Sequence, residues 1–154
     1  MGTVYAIANQ KGGVGKTTTA VNLAACVAEA GYETLLVDID PQSNATIALG
    51  IGKDSPRTVY DVLIGEVALE EVLVPTRIEH LTLAPSGPDL AGATVELPRL
   101  AGSETRLRES IAGIRERYSF ILFIVLLAVP GVFQVIGYPA RVLIGGLYRL
   151  AGIP

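Results

Sequence analysis

Cysteine is almost missing from this chain of 154 residues. Cys26 stands alone, so no intramolecular disulfide can form, and a reducing compartment, the cytoplasm, is expected. A basic excess is missing too. The 12 lysines and arginines stand against 15 aspartates and glutamates, giving a formal charge of -3 and a pI near 5.1. That balance excludes a general positive field for nucleic acid and leaves such a role only to a local patch. The N-terminus lacks the charged segment, apolar run and small-residue cleavage site of a secretory leader. Internal repeats and low-complexity segments are also lacking. What the chain has in quantity is apolar side chains: 50% of residues and a mean hydropathy of +0.47, with the excess from about Phe120 onward. The length fits one ordinary domain with a real core.

Thr3 to Ala8 (TVYAIA) is a β-branched and apolar run leading into glycines, the pattern of a buried strand feeding a loop. The alanine-rich run Thr17 to Ala30, followed by Gly31, predicts a helix with a glycine stop. Thr34 to Asp38 (TLLVD) then predicts a second strand. Strand, glycine loop, helix and strand make a βαβ unit with parallel strands and a right-handed crossover. Farther on, Val59 to Ile64 and Leu69 to Val74 are expected as short helices, and Leu81 to Ala84 as a strand before the turn-prone PSGPD. Ser103 to Tyr118 is the clearest amphipathic helix: Leu107, Ile111, Ile114 and Tyr118 recur at helical spacing among solvated arginines and glutamates. The body therefore predicts one α/β layered fold.

The segment KGGVGKTT, between predicted strand and predicted helix, carries the chemistry. Gly12, Gly13 and Gly15 permit a loop whose N–H groups converge on phosphate oxygens, with Val14 inside the same cradle and Thr18 at its end. Lys16 offers an ammonium to the β- and γ-phosphates, and the Thr17 hydroxyl can ligate magnesium. The plain alternative is a glycine-rich turn with an incidental lysine, which the strand–loop–helix context disfavours. Downstream, LLVDIDPQSNAT brings Asp38 and Asp40 to the C-terminal end of a parallel strand, where ligands bind in open α/β sheets. A carboxylate there can orient water, accept its proton or hold magnesium through water.

The usual phosphate loop would have glycine at position 10, where this chain has Gln10 followed by Lys11. The form xKGGxGKT resembles the deviant Walker A motif of the ParA/MinD group of ATPases, and DPQSNAT is closest to its ParA/Soj partitioning branch. TVYDVLIGEVALEEVLVPT, LTLAPSGPDLAGATVEL and the arginine-rich helix are similar to that branch in the same order, so the resemblance covers about residues 3 to 123. It implies a P-loop NTPase-like parallel sheet flanked by helices, bound Mg-ATP, and an ATP-dependent homodimer. It also implies a ParB-like partner and nonspecific DNA. By the same resemblance, Gly12 to Thr18 hold the nucleotide, Lys11 acts across the dimer, Lys16 and Asp40 are catalytic, and Thr17 and Asp38 serve the metal. The related nitrogenase iron protein needs several cysteines for its cluster, which Cys26 alone does not supply.

Past Tyr118 the pattern breaks. The family strand reads roughly YDFILIDCPPS, whereas this chain reads YSFILFIVLLA, which sets Ile124 at the aspartate position and Leu126 and Leu127 at the prolines. Isoleucine neither ligates a metal nor accepts a proton. The division expected is a truncated ParA-like domain over 1–123 and a divergent apolar tail over 124–154. Three readings of Phe120 to Pro154 stay open: a buried parallel strand followed by an apolar tail, a membrane segment interrupted by Pro130 and Pro139, or a truncated, frame-shifted or constructed end. The leading functional expectation is a partitioning ATPase with impaired hydrolysis. A non-catalytic nucleotide-binding half-domain that pairs with another chain, and a membrane-anchored MinD-like protein, are the alternatives.

Overall fold

The computed structural model describes residues 2–9, 15–52, 54–126 and 141–142. Strands β1 (Thr3–Asn9), β2 (Thr34–Ile39), β3 (Val74–Pro75), β4 (Leu81–Ala84), β5 (Phe120–Leu126) and β6 (Arg141–Val142) form one sheet in the order β3-β4-β2-β5-β1-β6. All described pairings are parallel except the short β3–β4 pair. Helices α1 (Lys16–Glu29), α2 (Asn44–Ala48), α3 (Val59–Ile64), α4 (Ala93–Glu96) and α5 (Ser103–Ile114) connect the strands. Three short 3-10 turns, Leu69–Val72, Pro88–Ala91 and Leu97–Arg99, complete the described elements.

The expected βαβ unit is present with one addition: β5 lies between β1 and β2. Thr3 pairs with Phe120 on one side of β5, and Thr34 pairs with the same residue on the other. A strand so enclosed needs apolar side chains on both faces, which explains its unbroken FILFIVL. Ile121 and Phe123 join Leu35, Val37 and Ile39 in a core against α3 and α5, while Leu122 and Ile124 join Leu36 and Ile7 against the alanine face of α1. Ala20, Ala24 and Ala28 are fully buried, and their small side chains let α1 lie close to the sheet.

Several boundaries shift from the sequence expectation. Helix α5 stops at Ile114 rather than Tyr118, and the chain turns through Arg117 into β5 with the Arg117 N–H donating to the Ile114 carbonyl. Tyr118 is buried all the same, alongside Leu107, Ile111 and Ile114. The run Leu69 to Val74 is a 3-10 turn followed by β3 rather than a helix, and Pro75 favours extended backbone at Val74 before it. Helix α3 is fixed at both ends. Thr58 and Asp61 form a capping box, and Gly65, at a φ of 86°, ends it while the Arg106 guanidinium donates to the Leu63 and Ile64 carbonyls.

Phe120 to Leu126 is a central strand, so an uninterrupted membrane-spanning helix over Phe120 to Ala140 does not form there. No described helix is long and apolar enough to cross a membrane. Residues 127–140 and 143–154, the greater part of the expected tail, lie outside the described residues. Replacing the fully buried Phe123 with alanine is expected to cost about 3–5 kcal/mol, read as a lowered urea midpoint; a loss below about 1 kcal/mol would show that β5 is not the packed centre of the sheet.

Candidate nucleotide site

Parallel strands bring their C-terminal ends to one edge, and the chemistry-bearing residues collect there. β1 leads to Gly15, whose φ of 82° lies in the left-handed region. A Cβ at Gly15 would meet nothing within 4 Å, so backbone conformation rather than space calls for glycine. Lys16 and Thr17 are the first residues of α1, half-buried, and Thr18 is exposed. The first turn holds no acidic residue, so no carboxylate within that turn neutralises the positive end of the helix dipole. Lys11, Gly12, Gly13 and Val14, together with Gln10, lie outside the described residues.

The carboxylates come from β2. Asp38 is the second-last residue of that strand and has no exposed surface. One of its oxygens accepts from the Thr46 N–H at 3.0 Å and the Thr46 hydroxyl at 2.8 Å, and the other from the Asp40 N–H at 3.2 Å. Burial pushes its carboxyl up from the usual 3.8 to about 6; the hydrogen bonds from Thr46 and the Asp40 N–H oppose the rise, and the nearby Asp40 charge adds to it. Asp38 pairs in register with Ile124, which pairs in turn with Ile7. An isoleucine with no exposed surface beside a buried carboxylate supplies neither a donor nor a countercharge.

Asp40 follows the strand and is 6% exposed. Its carboxylate accepts the Gln42 N–H at 2.9 Å, and its carbonyl accepts both the Ser43 N–H at 2.8 Å and the Ser86 hydroxyl at 2.6 Å. Ser43 holds a left-handed φ of 55°, and its buried hydroxyl has no hydrogen-bond partner. Sequence reading picks out Asp38 and Asp40 but misses Thr46 and Ser86, which hold them. Both lie in quoted segments, DPQSNAT and PSGPD, yet no short spacing announces a contact between residues 40 positions apart.

These residues fit a magnesium–nucleotide. Among the described residues no cluster of three or more His, Cys, Asp or Glu could hold a metal unaided. Magnesium needs none, because it keeps several waters and takes oxygens from phosphates and one or two side chains. The helix N-terminus, Lys16, the Thr17 hydroxyl and two carboxylates on one sheet edge are hard oxygen and cationic groups suited to it. Asp38 already accepts three hydrogen bonds, which leaves it roughly one of about four lone-pair positions.

Comparison with known proteins places this geometry among relatives. The family model described as an AAA domain matches residues 2–128. Sporulation initiation inhibitor protein Soj of Bacillus subtilis (strain 168) is 46% identical over 123 residues, covering 79% of this chain and 49% of the relative. Chromosome partitioning protein ParA of Myxococcus xanthus (strain DK1622) is also 46% identical over 123 residues, covering 79% of this chain and 44% of the relative. The chain thus spans about half the length of these curated relatives. Among solved structures, cobyrinic acid a,c-diamide synthase from Mycobacterium smegmatis with bound ATP analog and magnesium superposes with a TM-score of 0.79 at 38% identity, covering 87% of this chain and 57% of that one.

The Asp38 carboxyl provides a pH test. Its folded-state pKa stands above the unfolded value, so the native state binds the proton more tightly. The associated stability is fully present below about pH 4 and is lost as pH rises through about 6, amounting to roughly 3 kcal/mol at most. Urea midpoints measured from pH 4 to 7 should therefore show Asp38→Asn gaining on the parent as pH rises; parallel curves would mean that Asp38 is not buried as described.

Proposed function

The chain belongs to the AAA domain family, and on that premise we propose that it is a ParA/Soj-like, Mg-ATP-binding partitioning ATPase module whose hydrolysis is impaired. One observation carries the reading: Lys16 and Thr17 open α1 directly after a left-handed Gly15, at the same sheet edge as the buried Asp38–Asp40 turn. In this reading Gly12, Gly13, Val14, Gly15 and Thr18 line the phosphate cradle, and Lys16 binds and polarises the β- and γ-phosphates. Thr17 and Asp38 would hold the magnesium ion, Thr17 through its hydroxyl and Asp38 through a bound water. Asp40 positions the attacking water, and Lys11 reaches the nucleotide of a partner subunit. When bound, the magnesium ion neutralises phosphate charge.

The ATP analog and magnesium in the Mycobacterium smegmatis synthase support the cofactor assignment. The chromosome-partitioning name of the Myxococcus xanthus relative supports the partitioning role; on the ParA/Soj resemblance we further infer a homodimer formed on ATP, a ParB-like partner and nonspecific DNA, in the cytoplasm. We assign the ATPase portion to residues 1–123 and leave 124–154 as a divergent tail. Impaired hydrolysis follows from Ile124, which stands in register with Asp38 where the ParA/Soj pattern has an aspartate.

Isothermal titration with Mg-ATP tests the reading. The parent is expected to bind, and Lys16→Ala to weaken binding roughly tenfold or more, equivalent to about 1.4 kcal/mol. Turnover by the parent should be far below that of an intact relative. A parent that hydrolyses ATP as fast as an intact relative, with the activity lost in Lys16→Ala, would overturn the assignment of impaired hydrolysis; a parent that binds no Mg-ATP would overturn the site itself.

A further inference from the structure

Asp40 can orient water only if its backbone is held still, and the strand that carries it ends at Ile39. The constraint on the residues beyond comes from another strand. Ser86 follows β4 after Pro85 and has no exposed surface. Its hydroxyl donates to the Asp40 carbonyl at 2.6 Å, and its N–H donates to the Thr46 hydroxyl at 3.0 Å. The Thr46 hydroxyl in turn donates a hydrogen bond to the Asp38 carboxylate at 2.8 Å. One serine thus ties Asp40 directly to Thr46, and through Thr46 to Asp38, and all four residues are buried.

The turn that carries Ser86 is itself anchored. The Pro85 carbonyl accepts the Val59 N–H at 2.9 Å, at the start of α3. A Cβ on Gly87 would sit 3.0 Å from the Thr58 Cγ2, so the turn lies tightly against the α3 cap. The Asp40 loop is therefore braced, through Ser86, against an element that lies outside the phosphate cradle.

We propose that Ser86 is a positioning residue for Asp40: its hydroxyl fixes the Asp40 carbonyl, and its N–H closes the relay through Thr46 to Asp38. The link to water activation rests on the Mg-ATP reading above, whereas the brace itself does not depend on nucleotide. Losing the hydroxyl leaves the Asp40 carbonyl with the Ser43 N–H as its remaining hydrogen-bond donor among those described, and the loop gains freedom to open locally.

Amide hydrogen exchange on the full chain tests this. Without nucleotide, Ser86→Ala should raise exchange at Gln42 and Ser43 roughly tenfold while amides of α5 keep their parent rates, and Ser86→Cys, similar in size with a weaker donor, should fall between. Unchanged rates at Gln42 and Ser43, or an equal rise throughout the chain, overturn the proposal. With saturating Mg-ATP, Ser86→Ala should keep its Kd within about twofold of the parent while Gln42 remains fast to exchange. Restoration of parent protection by the nucleotide also overturns it, because the ligand would then be doing the positioning. A parent that fails to bind Mg-ATP removes the nucleotide reading alone, since the first comparison is made without nucleotide.

Discussion

The ladder of hydrogen bonds on either side of β5 is the constraint from which the rest of the structure follows. β1 precedes Lys16 and α1, and β2 delivers the two aspartates, yet these strands do not pair; β5 stands between them and sets their separation and register. Because β5 is enclosed by a strand on each side and a helical layer on each face, its side chains are drawn almost wholly from the apolar set. The same enclosure gives Ile124 its effect. A single side chain at the centre of this arrangement faces the position where a carboxylate is held, and it contributes volume without polarity.

The aspartates illustrate how one turn makes two environments from one residue type. Asp38 is still within the strand, facing α1 and α2, and its charge is disfavoured by burial although three donors surround it. Asp40 is two residues on, past the strand end, with its carboxylate engaged by the Gln42 N–H. Hydrogen bonds from Thr46 and Ser86 knit the pair to α2 and to the turn after β4, so the polar edge of the sheet is one connected network rather than separate side chains.

Much of this was legible in the sequence where local pattern and burial agree. Val59 to Ile64, Leu81 to Ala84 and the apolar stripe of α5 correspond closely to their elements because each is read from neighbours along the chain. The short helix Asn44–Ala48 and the strand Val74–Pro75 were not legible: five residues and two residues are too few to show a period, and tertiary contacts fix them. The order of strands was hidden as well, since no local signal says that β5 inserts between β1 and β2. At the site, Lys16, Thr17, Asp38 and Asp40 announce themselves by motif. Thr46 and Ser86 do not: Thr46 reaches Asp38 only because the chain folds back over eight residues, and Ser86 reaches Thr46 and Asp40 across 40 or more.

The pairing of Thr3 with Phe120 also orders events in time. During synthesis, β1 emerges well before β5 and finds no strand partner among β2, β3 and β4, whereas α1 can already pack on β2. β2 and β4 can pair meanwhile, since their partners are nearer in sequence. The first strand therefore waits as an apolar segment with open backbone groups until β5 arrives, and closure of so long a loop favours slow assembly over fast. The strand that precedes Lys16 and α1 is thus made well before β5 and is locked in place only when β5 arrives.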